Sequence, residues 1–98
     1  MILIIPTDCK DYKYAKIVSL AKKENWIVVE MDAGFVKKYN FYEKREDIDD
    51  FIDYLIVKND HEDIEEFLDE GIEVLVAPLQ DYIEDVIEAY KFRELHEL

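Results

Sequence analysis

The chain has 98 residues, half of them hydrophobic, with 2 Gly, 2 Pro and 1 Cys. That apolar share is too high for intrinsic disorder, and the Gly and Pro counts are too low for a collagenous or linker-like chain. A single domain over 1–98 is expected, burying about 60–65% of the surface its unfolded chain exposes.

Lys and Arg number 12 against 25 Asp and Glu, a net charge of −13 that is spread unevenly. Residues 1–42 carry 7 Lys and 5 acids (+2), residues 43–73 carry 14 acids and 3 bases (−11), and residues 74–98 carry 6 acids and 2 bases (−4). A nucleic-acid binder needs a basic stripe to displace counterions from phosphates, and none is present, so nucleic acid is not an expected partner. No apolar run approaches the roughly 18 residues of a membrane-spanning helix. The opening MILIIPTD lacks a basic leader and meets Pro6 too soon for a signal peptide, so a soluble, cytoplasmic protein without membrane contact is expected. The lone Cys9 cannot form an internal disulfide, in keeping with a reducing compartment. Ten Lys against two Arg, with one Gln and only Thr7 and Ser19 as aliphatic hydroxyls, resemble the composition of heat-adapted proteins.

In chain order, residues 2–5 form an apolar run closed by Pro6, the pattern of a strand covered on both faces. Tyr14, Ile17, Val18 and Ala21 recur at helical spacing with Lys13, Lys16, Lys22 and Lys23 between them, which predicts an amphipathic helix over 11–24. Residues 26–31 and 35–42 flank Asp32-Ala33-Gly34, where Gly34 suits the positive φ of a three-residue hairpin loop. Lys37 and Lys38 place the second of these strands at the sheet edge, and alternation leaves Val36, Tyr39 or Asn40, and Phe41 in uncertain register. Ile48, Phe51, Ile52 and Leu55 keep a helical period while 54–57 reads as a buried strand, which divides the segment into a short helical turn near 46–52 and a strand over 53–58. Asn59 or Asp60 then caps a helix over 60–70 that turns Ile64, Phe67 and Leu68 inward and ends at Gly71. A strand over 72–77 stops at Pro78, and Ile83, Val86, Ile87 and Tyr90 mark a last helix with Asp81 as candidate N-cap. Tyr14, Tyr54 and Tyr90 are expected to face inward. The fold class is α/β, a three-layer sandwich around one mixed five-stranded sheet.

The segments ILIIPTD, WIVVEMDAGFVKKYNFYEK, IDYLIVKN, EFLDEGIEVLVAP and IEAYKFREL together resemble the dinitrogenase iron-molybdenum cofactor biosynthesis family, nitrogenase-accessory proteins with a ribonuclease-H-like fold. The resemblance covers nearly the whole chain. It implies that the first strand lies beside the strand over 53–58, which lies beside that over 72–77. It also implies a non-enzymatic role and a metal-containing ligand, an iron-sulfur or iron-molybdenum cofactor precursor. Members usually carry a Ser/His-Phe-Gly-type signature before the second strand, where this chain has Ser19-Leu20-Ala21-Lys22-Lys23. A Gly-rich turn of the family is replaced by Lys58-Asn59-Asp60-His61, and its helix between the third and fourth strands has shrunk to a turn. None of the family's cofactor-holding residues is carried over.

Open α/β sheets bind ligands beyond the carboxyl ends of their parallel strands. That rim collects Thr7, Asp8 and Cys9, then Asn59, Asp60 and His61, then Leu79, Gln80 and Asp81. Cys9 and His61 are ligand types for iron or zinc, with Asp8 and Asp60 as oxygen donors, although the same Asp residues serve equally as helix caps. His96 lies in a terminal segment expected to fray. No P-loop, Gly-rich dinucleotide turn, CxxC pair or Ser-His-Asp set is present.

Three functions follow. The first is a diverged, non-enzymatic accessory domain that binds or carries a metal-containing ligand. The alternative is an acidic interaction module that has lost the ligand site and meets a basic protein partner. Ranked below both is a metal-dependent hydrolase, which needs Asp8, Asp60 and Asp81 within about 4–6 Å of one point to hold Mg²⁺. The chain is a monomer or a homodimer, and Lys37 and Lys38 oppose open-ended pairing through the edge strand.

Overall fold

In the computed structural model, which describes residues 1–98, β1 (Ile2–Thr7) runs through the middle of one mixed sheet. The sheet also contains β2 (Asn25–Asp32), β3 (Phe35–Tyr42), β4 (Tyr54–Val57), β5 (Glu73–Val76) and β6 (His96–Glu97), in the order β3-β2-β1-β4-β5-β6. β1 pairs antiparallel with β2 and parallel with β4, and β4 pairs parallel with β5. The expected adjacency of the three parallel strands is therefore present.

Because side chains alternate along each strand, the core divides into two clusters on opposite faces. One gathers Leu3, Ile5, Ile27, Val29 and Ile56 under helix α2 (Ile83–Lys91), which contributes Ile83, Val86 and Ile87. The other gathers Ile4, Trp26, Val28, Leu55 and Val57 under helix α1 (Glu65–Asp69), which contributes Phe67. No helix is long and apolar enough to cross a membrane.

Six strands replace the expected five. The chain leaves α2 through Arg93 at φ 58°, with Arg93 N–H donating to the Tyr90 carbonyl (3.2 Å) and Glu94 N–H to that of Ala89 (2.8 Å), a Schellman turn built without glycine. That turn lays His96 against Val76 and Glu97 against Leu75, so the end of the chain pairs with β5 instead of fraying.

The helix expected over 11–24 does not form. Ile17 N–H donates to the Asp81 carbonyl (2.8 Å), Val18 N–H to that of Pro6 (3.1 Å), and Ile83 N–H to that of Ala15 (3.0 Å), so backbone groups an α-helix would use internally join distant parts of the chain instead. Only a 3₁₀ turn at Leu20–Lys22 remains, and Tyr14 is 63% exposed. The aromatic and β-branched residues at 12–18 are weak helix formers, which makes this outcome inexpensive.

The helix expected over 60–70 shortens to α1, with Leu68 52% exposed, and α2 begins after Tyr82 with no side-chain cap from Asp81. Gly71 does end α1. At φ 80° it donates to the Leu68 carbonyl (2.9 Å), while Ile72 N–H reaches that of Phe67 (3.0 Å) and both of these apolar side chains enter the same core cluster. The turn expected near 46–52 is a 3₁₀ turn at Arg45–Asp47.

The hairpin loop has two residues, not three. Asp32 pairs directly with Phe35, and Ala33 (φ 53°) and Gly34 (φ 83°) form the turn. Glu30 faces Lys38 but Met31 faces Val36, so Lys37 is an extra residue bulged out of register. The bulge resets the alternation, so that Val36 and Phe41 pack against the α2-side cluster and Tyr39 stacks on Tyr12 at 4.4 Å. Position 39, not 40, faces that side, and β3 is the sheet edge as expected.

Candidate functional site

The carboxyl ends of β1, β4 and β5 bring the loops at 7–9, 58–62 and 78–81 to one rim of the sheet. Most of the polar groups on this rim are engaged with one another. Thr7 is fully buried, and its hydroxyl donates to the Cys9 carbonyl at 3.1 Å, which leaves that hydroxyl no donor for a ligand. Asp8 accepts Lys16 N–H at 2.9 Å and holds the 15–18 segment against the end of β1. The Asn59 side chain accepts His61 N–H at 2.9 Å, a local turn contact and not a helix cap. Asp60 and His61 lie 3.2 Å apart at exposed positions.

Two rim residues escaped the sequence reading, and they organise the rest. Lys58, the first residue past β4, donates its Nζ to the Gln80 carbonyl and to Asp81 Oδ1 at 3.0 Å, bracing the β4 and β5 ends together. Glu62 accepts three backbone N–H groups, those of Leu20 (2.5 Å), Lys58 (2.9 Å) and Asn59 (3.0 Å). Convergent N–H groups at the end of a parallel strand are an anion cradle, and here a carboxylate of the chain itself fills it. The signal was present in the sequence: Asn59-x-x-Glu62 has the spacing of a capping box, in which the acid reaches back to the first residue's N–H. The Gln80 side-chain oxygen is buried without a hydrogen-bond partner.

The three carboxylates of the hydrolase reading are each held elsewhere, Asp8 by Lys16 N–H, Asp81 by Lys58 and Asp60 beside His61. No three His, Cys, Asp or Glu side chains gather where they could hold a metal ion. Cys9 is a half-buried free thiol packed against the α2-side core, whereas His61 stands exposed in the loop after β4. Leu79 is 84% exposed on the same rim.

This fold defines a class of small mixed α/β domain in which an antiparallel hairpin flanks three parallel strands. No family model matches the chain, and no curated protein matches it. Solved structures do. A crystal structure of a Methanocaldococcus jannaschii protein provisionally described as a dinitrogenase superposes with a TM-score of 0.79 at 20% identity, covering 100% of this chain and 94% of that one. A solution structure of that same protein, described there as from Methanococcus jannaschii, gives 0.75 at 21% identity over 100% and 92%. A Thermotoga protein provisionally described as NifB gives 0.72 at 20% identity over 99% and 92%. At these identities the likeness is one of fold.

Proposed function

We propose that the chain is a diverged member of the nitrogenase iron-molybdenum cofactor accessory family, a cytoplasmic domain on a ribonuclease-H-like motif that catalyses no reaction and carries a metal-containing species. The supporting observation is the full-length likeness to proteins described as a dinitrogenase and as NifB. The rim limits how such cargo is met. With Glu62 in the anion cradle and Lys58 paired to Asp81, Cys9 is the one soft donor at the β1 end. One thiolate does not hold a cluster by itself, so binding engages Cys9 with His61 or with a second chain's thiolate across a dimer. Anaerobic titration with ferrous iron or an assembled cluster tests this: charge-transfer absorbance should appear in the parent and vanish in Cys9→Ala. Absence in the parent, or equal binding in the variant, removes the Cys9 site.

A second reading, an acidic module for a basic protein partner, is supported by Phe51. Its side chain is 96% exposed beside Asp49, Asp50 and Asp53, in the segment of charge −11. An exposed aromatic with carboxylates close by in sequence suits a Lys- or Arg-rich peptide that also carries an apolar residue. Titration with such a peptide should give salt-sensitive binding that Phe51→Ser weakens; insensitivity to both salt and the substitution counts against it.

A further inference from the structure

At the end of the sheet opposite the rim, a cavity of about 570 Å³ opens between the β2–β3 hairpin, the start of β4 and the end of α2. We propose that it binds a small amphipathic anion, an apolar body ending in a single carboxylate.

The lining suits an apolar body. Met31, Tyr54, Leu75, Tyr90 and Leu95 are among the lining residues, most of which are hydrophobic, and Tyr54 meets Tyr90 edge to face at 5.7 Å in continuity with the α2-side core, so that an apolar wall lies beside the polar groups of the mouth. Its volume lies within the range of about 300–1,000 Å³ that small-molecule sites occupy.

The charges at the mouth suit a single carboxylate. Residues 74–98 contain two bases, Lys91 and Arg93, and both line this cavity. Lys91 is engaged with Glu88 at 3.3 Å and lies over the Phe35 ring at 5.5 Å. Arg93 makes no ion pair with any carboxylate of the chain. A planar guanidinium matches a carboxylate through two parallel hydrogen bonds. Glu97 in the lining and Asp53 close enough to act on Tyr90 disfavour a doubly charged head such as phosphate. Burial, with Tyr54 and Asp53 adding to it, raises the Tyr90 pKa, so its hydroxyl stays protonated and able to donate.

The backbone supplies an independent observation. Arg93 occupies the left-handed position of the Schellman turn, φ 58°, where glycine is the low-energy residue. A charged, unpaired side chain held on a strained residue at a cavity mouth is the kind of outlier that points to function.

The test is an isotope-edited NMR titration with decanoate, with decanol and inorganic phosphate as comparison probes. Decanoate should give saturable shifts at Tyr54, Leu75 and Tyr90, with decanol binding about tenfold or more weakly and phosphate not at all, since a charge-assisted pair contributes about a factor of ten or more. Arg93→Gly relieves the strain, so it should melt higher than the parent while losing about tenfold in decanoate affinity and none in decanol affinity. Leu75→Trp fills the cavity and should abolish both, its fold checked by amide dispersion. Lack of saturation with decanoate, equal affinity for decanol, shifts produced by phosphate alone, or unchanged decanoate affinity in Arg93→Gly each overturns the proposal.

Discussion

The Glu62 carboxylate accepts the backbone N–H of Leu20 at 2.5 Å across 42 residues of sequence, and it simultaneously accepts those of Lys58 and Asn59. It therefore fastens the turn before β2 to the end of β4. Removing it leaves three donors to find water or go unpaired in a part-buried place. Glu62→Ala should lower the unfolding free energy by about 2 kcal/mol, and Glu62→Gln, which keeps an acceptor oxygen, by roughly half that. Urea denaturation of the three proteins measures both; an alanine variant within a few tenths of the parent would remove this role.

The two helix ends predict substitutions of opposite sign. Gly71 and Arg93 both sit in the left-handed region, at φ 80° and 58°, in the same Schellman hydrogen-bond pattern. A Cβ at Gly71 meets nothing within 4 Å, so the cost of Gly71→Ala is the backbone conformation alone, about 1 kcal/mol. Arg93→Gly should gain about 0.5–1 kcal/mol by the same argument reversed. Melting temperatures that fail to move in opposite directions would contradict it.

What the sequence made legible was decided by how local each signal is. The runs at 2–5, 54–57 and 74–76 are apolar on both faces, as central strands are, and Gly71 ends a helix for a reason internal to the six residues from Phe67 to Ile72. The segment 11–24 failed because its helical spacing of Tyr14, Ile17 and Val18 competed with backbone bonds to Pro6 and Asp81, partners set by the tertiary fold. β6 was hidden for a similar reason: it depends on a left-handed arginine, which residue preferences do not suggest. At the rim, the positions of Asp8, Asn59 and Asp81 were foreseeable from topology, but their occupation by Lys16, His61 and Lys58 was not.

Tyr12 gives a pH prediction. Burial, with Glu84, Tyr39 and Glu88 adding to it, raises the Tyr12 pKa above the usual value of 10.0, so the folded state favours the neutral phenol. The associated stability is fully present below the unfolded pKa and is lost as pH rises through the folded one. Urea midpoints should therefore fall from about pH 9 to pH 11, and fall less in Tyr12→Phe, which has no proton to lose. Equal losses in the two proteins would show that Tyr12 is not the group responsible.

The acidic segment 43–73 carries a repulsion that salt should relieve. Of its 14 acids, Glu43 pairs with Lys10 at 2.8 Å and Glu70 with Arg45 at 2.7 Å, while Asp60 faces a histidine that is charged only when protonated. Arg45 also lies 4.5 Å from the Phe67 ring, so this one cation ties the 3₁₀ turn to α1. Glu62, Asp53 and Asp63 accept backbone N–H groups, and none of the other carboxylates of the segment pairs with a base, so their mutual repulsion is screened by the solvent. Raising sodium chloride from about 10 mM to 100 mM shortens the Debye length from about 30 to 10 Å, and should relieve roughly 1 kcal/mol, or about 4–8 °C in melting temperature for a domain of this size. A salt effect by itself does not locate the repulsion, so the decisive comparison is the double variant Asp49→Asn and Asp50→Asn, two exposed carboxylates in no ion pair with a base. It should melt above the parent at low salt and converge with it at high salt. Parallel salt curves for the two proteins would place the repulsion elsewhere in the chain.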